Sequence, residues 1–569
     1  MQTLADMIFN LSKTDFTPII SKQQGRIQKV TSKDLFFDIY ALAQAFISNG
    51  FKKGDKVALF ANNSPSWLPA ALGINYAGLV DVPRGTDSKD AELQYILKYS
   101  NAKSLIVENE TMMNRVKKFA PKKIQTIMTL TSSGSCLDDF KKTSSQVRLP
   151  SLEPDDLASI IYTSATTGNP KGVMLSHKNY ISNVLALRNY LGDISEEKFL
   201  SLLPPWHAFG RGEKHLALVG QAQMFYTTPK KFLEDTKEQS PSIIVSVPRL
   251  WETIYEKLQA NPKIKKINKI PLPFVKKKII RSALDKALGG NIKYIISGGG
   301  GLPEHIDSYF LKHGVEILEG YGMTEMAPVI SARTPGSKHS SLQTVGKPIP
   351  GVQVEIRDEE NNKLPFNSEG IIYVTGSNLM KGYYKNPFAT NMAIGPDNYL
   401  NTGDTGYIKT DGNIVINGRQ KDEIALSNGE NIQPKPLEDL LKSHPFISDA
   451  VVVGEHWDEK SQKLVPWKKL GALIVPNVEK IKEEYTSQIE PDKNIDFFNT
   501  VELRSFIYEH VKCVYNENSL RPFEKVYAVQ CISPLQVGRE LTLSYKLRRD
   551  KILKHYCSAD VLELSRFLK

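Results

Sequence analysis

Residues 162–177 read Tyr-Thr-Ser-Ala-Thr-Thr-Gly-Asn-Pro-Lys-Gly-Val-Met-Leu-Ser-His. Four hydroxyl residues, Thr163, Ser164, Thr166 and Thr167, crowd beside Gly168, Lys171 and Gly172. The run before them, Leu157 to Tyr162, is apolar enough for a buried strand. A strand ending in hydroxyls, backbone N–H groups and one lysine on a glycine-loosened turn suits a polyphosphate. The string is not the P-loop of nucleoside triphosphatases, because its lysine precedes its glycine and no Ser or Thr follows that lysine.

Outward from this stretch the chain alternates helical and strand-like runs. Ser32 to Ile47 has helical apolar spacing, with Ser32 as the expected cap. Gly54 to Phe60 reads as a turn into a buried strand, Ser104 to Val107 as another strand, and Trp67 to Gly78 as a helix. The alternation continues through Ile243–Val247 and Tyr294–Ser297 and predicts parallel sheets with helical crossovers. Between residues 340 and 418 short strands and turns take over, and the stretch Asp411 to Gly418 carries the turn signals of a hairpin. A new α+β unit follows, with a helix over Pro436–Leu441 and a strand over Ala450–Val453. The expected hinge is Arg419-Gln420-Lys421.

At 569 residues the chain exceeds one core, and 41% hydrophobic with 24% charged residues is ordinary globular composition. No apolar stretch is long enough to cross a bilayer. The opening Met1-Gln2-Thr3-Leu4-Ala5-Asp6 has no signal-peptide character. Four sparse cysteines, Cys136, Cys513, Cys531 and Cys557, lack metal-ligand spacing and fit a reducing cytoplasm. The net charge of +11 favours anionic partners. Much of it is local, in Lys263–Lys266 and Lys276–Arg281, where interspersed apolar residues suit either a solvated helix face or a peripheral contact with an anionic membrane, on its inner face. Interleaved aromatics of the kind that bind RNA are missing, so no nucleic-acid partner is expected. Oligomeric state is not legible.

Six further segments follow in order. Leu203-Pro204-Pro205-Trp206-His207 puts a histidine and an aromatic on a proline-stiffened loop. Ser297-Gly298-Gly299-Gly300-Gly301 lets a flat group approach the backbone. Tyr321-Gly322-Met323-Thr324-Glu325 combines an aromatic face, a hydroxyl and a carboxylate. Thr402-Gly403-Asp404 presents a carboxylate suited to two ribose hydroxyls. Gly418-Arg419-Gln420-Lys421 marks the hinge, and Leu541 to Arg549 carries Lys546 near the C-terminus. Any one of these is ordinary alone; the order and spacing of all are not.

Together they resemble the adenylate-forming superfamily, from about Ser32 to Tyr556, and within it the long-chain fatty acid–CoA ligases. The resemblance implies an α/β fold: a large N-terminal region of two doubly wound subdomains plus a small β-barrel-like subdomain (residues 1–418), a hinge (419–421) and a small mobile α+β domain (422–569) carrying a catalytic lysine. It implies that Thr163, Ser164, Ala165, Thr166, Thr167, Gly168 and Lys171 hold the β- and γ-phosphates of ATP. Gly299, Gly300, Gly301 and Tyr321 would sandwich the adenine, Gly322 and Met323 would also line the nucleotide site, and Asp404 and Arg419 would hold the ribose. Thr324 would meet the α-phosphate, and Glu325, with Thr163, would ligate Mg²⁺. Lys546 would reach the α-phosphate and the acyl carboxylate, and His207 and Trp206 would border the acyl pocket. The implied reaction makes an acyl adenylate and then an acyl thioester of coenzyme A. A carrier-protein thiol as acceptor, or a non-catalytic nucleotide- or lipid-binding relative, are the competing readings. The chain departs from the family pattern at Ala165 and at Gly300-Gly301, where the family commonly has Gly and Ala-Pro, and at Tyr545, where many members have Gly.

Overall fold

The computed structural model describes residues 1–557 apart from 24–25, 132–135, 164–169, 269–271, 337–341, 459–462, 485–500, 519, 537–538 and 542–546. Strand Lys56–Phe60 shows why its run is apolar from Val57 on. Val57 and Leu59 join one buried cluster, Ala58 and Phe60 another on the opposite face. A strand covered on both sides loses the hydrophobic–polar alternation of a half-exposed one. Around it Val80–Arg84, Ser104–Val107, Thr126–Thr129 and Leu157–Thr163 run parallel, and Lys171–Ser176 pairs antiparallel with Leu157–Thr163 at the edge of this six-stranded sheet.

A nine-stranded sheet follows the same logic. Its parallel centre comprises Ile317–Gly322, Tyr294–Gly298, Ile243–Ser246, Lys198–Ser201, Gln223–Tyr226 and Ile19–Gln23, with antiparallel strands added at both edges. Helices His177–Leu191 and Ala208–Val219 share one core with Leu68 and Leu175 on the first-sheet side and with Phe199, Met224 and Val245 of the second sheet. The chain leaves the carboxyl ends of the parallel strands at Ser201, Tyr226, Ser246, Gly298 and Gly322. Residues just beyond each line a single cleft of about 3000 Å³, the place where open α/β sheets bind ligands.

Two expectations are corrected. The barrel-like subdomain is an open four-stranded antiparallel sheet, Val352–Arg357, Gly370–Gly376, Leu400–Ile408 and Ile414–Arg419, in which the strands pair in sequence order and, among the described residues, the first and last do not pair with each other. Its inner residues Ile356, Ile372, Val374, Leu400 and Ile414 are buried in the shared core, so the body of the protein covers the face that closure would otherwise protect. The helix expected to start at Ser32 is capped by Thr31, whose hydroxyl accepts the Asp34 N–H at 3.1 Å. Ser32 instead donates to the Thr14 carbonyl at 2.7 Å. Two neighbouring hydroxyl residues compete for the cap, and the one turned outward takes it.

From Ile424 onward the chain builds its own apolar clusters around the sheet Ile447–Asp458, Lys463–Pro476 and Val526–Cys531 and the helices Pro434–Lys442, Val501–Glu517 and Arg549–Tyr556. A short 3₁₀ turn, Gln420–Asp422, joins it to the last strand of the four-stranded sheet.

Candidate active site

The hydroxyl-rich stretch is a hairpin. Leu157–Thr163 and Lys171–Ser176 place Thr163 opposite Lys171, and the Thr163 hydroxyl donates to the Lys171 carbonyl at 3.4 Å. Ser164, Ala165, Thr166, Thr167 and Gly168, between the two strands in sequence, lie outside the described residues. The Lys171 ammonium sits over the Tyr383 ring, 4.9 Å from its centroid. Tyr383 in turn donates its hydroxyl to Glu325 Oε1 at 2.9 Å. Strand Ile317–Gly322 ends one residue short of the 3₁₀ turn Thr324–Met326, and this turn presents Glu325 to the cleft. Burial pushes the Glu325 carboxyl up, while the Tyr383 hydrogen bond and the Lys171 charge hold it down. One carboxylate with one hydroxyl, Glu325 with Thr163, fits Mg²⁺ when a nucleotide supplies further oxygens, because Mg²⁺ takes one or two protein carboxylates plus phosphate and water.

A second chain of contacts faces the glycine wall. Strand Tyr294–Gly298 runs into Gly299, whose φ of +85° is a left-handed conformation suited to glycine. A side chain at Gly298 would press on the Phe209 ring at 3.1 Å. Tyr321 donates its hydroxyl to Asp404 Oδ2 at 2.6 Å, and Arg419 Nε lies 3.0 Å from Asp404 Oδ1. Asp404 and Arg419 are direct cross-strand partners, so the hairpin register brings them together. Burial, then the Asp404 carboxylate, pushes the Tyr321 phenol well above its usual value, which keeps it a neutral donor.

The Trp206 and His207 rings lie against each other, centroids 3.9 Å apart and planes tilted by 33°, at the start of the helix Ala208–Val219. Their loop is held by a residue the sequence reading passed over. Lys214 is fully buried, and its ammonium donates to Ser201 Oγ at 3.0 Å and to the carbonyls of Leu203 and Gly210 at 3.3 Å each. The same helix is tied to the first sheet by Arg211, which pairs with buried Asp81 and donates to the Tyr180 hydroxyl at 3.1 Å. A charge pattern inside a helix does not reveal such roles; only the packing of that helix between two sheets does.

Lys435, also unforeseen, lies on the helix Pro434–Lys442 against the glycine wall. A Cβ at Gly301 would come within 2.9 Å of its Nζ. Gly301, where the family pattern has a bulkier residue, leaves the room that Lys435 fills. Lys546 lies outside the described residues. The structure therefore gathers Thr163, Lys171, Trp206, His207, Gly299–Gly301, Tyr321–Glu325, Asp404 and Arg419 around one cleft.

A family model for AMP-binding enzymes matches residues 12–384, and one for the AMP-binding enzyme C-terminal domain matches residues 421–492. The chain belongs to the AMP-binding enzyme family, the adenylate-forming superfamily. Within it, the chain is an acyl ligase of the acyl-CoA synthetase type. It is 31% identical to the probable acyl-activating enzyme 16 of Arabidopsis thaliana chloroplasts, over 89% of this chain and 81% of that one. It is 31% identical to a chloroplastic long-chain-fatty-acid–acyl-carrier-protein ligase of the same plant, over 93% and 82%. A long-chain-fatty-acid–CoA ligase of Mycobacterium bovis is 29% identical over 79% and 80%. Among solved structures, ATP-bound MatB from Rhodopseudomonas palustris superposes with a TM-score of 0.78 at 23% identity, over 98% of this chain and 100% of that chain, a likeness of fold.

Proposed function

We propose that this protein joins a long-chain fatty acid to AMP with release of pyrophosphate, then passes the acyl group to the thiol of coenzyme A. The arrangement that carries the reading is the cleft with a phosphate-suited hairpin on one side and the Tyr321–Asp404–Arg419 chain on the other. In this reading Asp404, oriented by Tyr321 and Arg419, accepts the two ribose hydroxyls. The glycine wall admits the adenine against the Tyr321 ring. Lys171 and the hairpin hydroxyls hold the outer phosphates, with Thr324 at the α-phosphate.

A fatty carboxylate is a poor electrophile, and its attack on the α-phosphorus creates a mixed anhydride with AMP as a good leaving group. Two anions must meet, so positive charge is needed where negative charge builds up. Bound Mg²⁺, ligated by Glu325 and Thr163, would offset that repulsion. Lys546 is the protein cation assigned to the carboxylate and α-phosphate, delivered by a C-terminal domain that turns about 419–421. The thiol then attacks the activated carbonyl, and no enzyme nucleophile is required. Trp206 and His207 border the acyl end.

Pyrophosphate exchange into ATP, dependent on fatty acid and Mg²⁺, tests the first step; no exchange with any acid would sink the proposal. Lys546→Ala is expected to lower exchange by at least about a hundredfold, the scale on which removing one charge-stabilising group acts. The same variant should still convert supplied acyl adenylate to thioester. Equal loss in both half-reactions would remove Lys546 from its role.

A second acceptor is favoured by one observation, the similarity to a ligase whose name specifies the acyl-carrier protein. Comparing thioester formation on coenzyme A with that on holo acyl carrier protein decides between them.

A further inference from the structure

Residues 262–288 contain nine Lys and Arg against one Asp, a local surplus of eight in a chain whose total is +11. Most of the net charge therefore sits in 27 of 569 residues. The structure folds this stretch into the helices Pro262–Asn268 and Pro273–Ala287. The second helix has two apolar sides. Ile280 and Leu284 are buried in a core that also holds Phe232, Trp251 and Phe310. On the other side Phe274 is 87% exposed, Val275 43% and Ile279 37%, with Leu272, 59% exposed, just ahead of the helix. At 100° per residue the outward group of Phe274, Val275, Lys278 and Ile279 lies roughly opposite Ile280 and Leu284. Lys277 and Lys278 are exposed on this helix, and its lone acid, Asp285, is already paired with Arg281 at 2.8 Å.

We propose that the outward face of the helix Pro273–Ala287 docks on an anionic lipid bilayer. Phe274, Leu272, Val275 and Ile279 enter the headgroup–acyl boundary while the lysines stay among the anionic headgroups. A single convex helix offers no groove for a peptide. A bilayer accepts protruding apolar side chains and neutralises the surrounding cations at once. Lysine stems reach along the apolar surface while their ammonium groups stay at headgroup level. A second copy of this chain would bring two patches of like charge together, which charge repulsion opposes. The inference stands apart from the proposed reaction, since it uses none of the cleft residues.

Vesicle flotation tests it, with phosphatidylcholine vesicles and with vesicles containing about one-third phosphatidylglycerol. The wild type is expected to float with the anionic vesicles, about tenfold less with neutral ones, and less as salt rises. Phe274→Ser/Ile279→Ser and Lys277→Glu/Lys278→Glu should each weaken partitioning at least tenfold. Both pairs are exposed, and unchanged thermal unfolding would show that the fold is kept. Failure of the wild type to float with anionic vesicles would overturn the proposal, as would wild-type partitioning in either double variant. A wild-type dimer that Phe274→Ser dissociates, without vesicle binding, would assign the face to a second copy instead.

Discussion

His177 shows how much a single residue's chemistry depends on where the chain folds. In sequence it is the last residue of the diagnostic string. In the structure it is fully buried at the first position of the helix His177–Leu191, and the Leu4 N–H donates to its Nδ1 at 3.3 Å. Burial holds the imidazole down to about 4, with Lys53 helping and the Asp156, Asp81 and Asp6 carboxylates opposing. The folded protein thus binds this proton less readily than the unfolded chain does. The stability it contributes is full above pH 6.5 and is lost as pH falls towards about 4. His177→Asn keeps an acceptor for Leu4 without a titrating ring. It is expected to flatten the acid limb of the unfolding free energy by about 3 kcal/mol over that interval, at about 1.4 kcal/mol per pH unit. Denaturant titrations at stepped pH measure this, and parallel curves for both proteins would refute it. Tyr321, Glu325, Asp404 and Arg419 were legible as site candidates because their side chains carry binding chemistry in a recognisable order. Lys214 and Lys435 were not, because a lysine in a helix reads as surface until its surroundings are known.

Elements were legible where periodicity is unambiguous. The strand over Ser104–Val107 falls where its apolar run places it, and in the hairpin stretch Asp411–Gly418 the turn sits at its start, with Gly412 at φ +84°, before the strand Ile414–Arg419. Ends were less legible. The helix expected over Trp67–Gly78 stops at Tyr76, with Gly78 in a left-handed turn. The turn that carries Thr324 and Glu325 is the element whose integrity matters most to the site. It follows Gly322, where a Cβ would lie 2.1 Å from the Pro328 carbonyl oxygen. Backbone cannot yield as a flexible side chain can, so Gly322→Ala must displace the turn. It is expected to cost about 2 kcal/mol in stability. It should also lower Mg²⁺-dependent pyrophosphate exchange at least tenfold. A variant with wild-type melting and exchange would show that the turn absorbs the methyl group.

At the scale of the whole molecule, the C-terminal core from Ile424 onward meets the larger body through the 3₁₀ turn Gln420–Asp422 and through contacts such as Lys435 at Gly301. If rotation about the proposed hinge separates the two half-reactions, stiffening it should impair their succession rather than either site. Lys421→Pro, which fixes one φ angle, is expected to slow overall thioester formation about tenfold while leaving pyrophosphate exchange within about twofold. Equal loss in both assays would place Lys421 in the site and not in the hinge. The sequence by itself determined the parallel α/β plan and the order of the binding segments, because hydrophobic period and local turn chemistry are properties of short stretches. The tertiary structure alone decided that the small sheet stays open against the shared core. It also decided that a buried lysine clips the Trp206–His207 loop and that Lys435 fills the space beside Gly301. Each of these depends on contacts between residues far apart in the chain, and no local pattern encodes the distance between them.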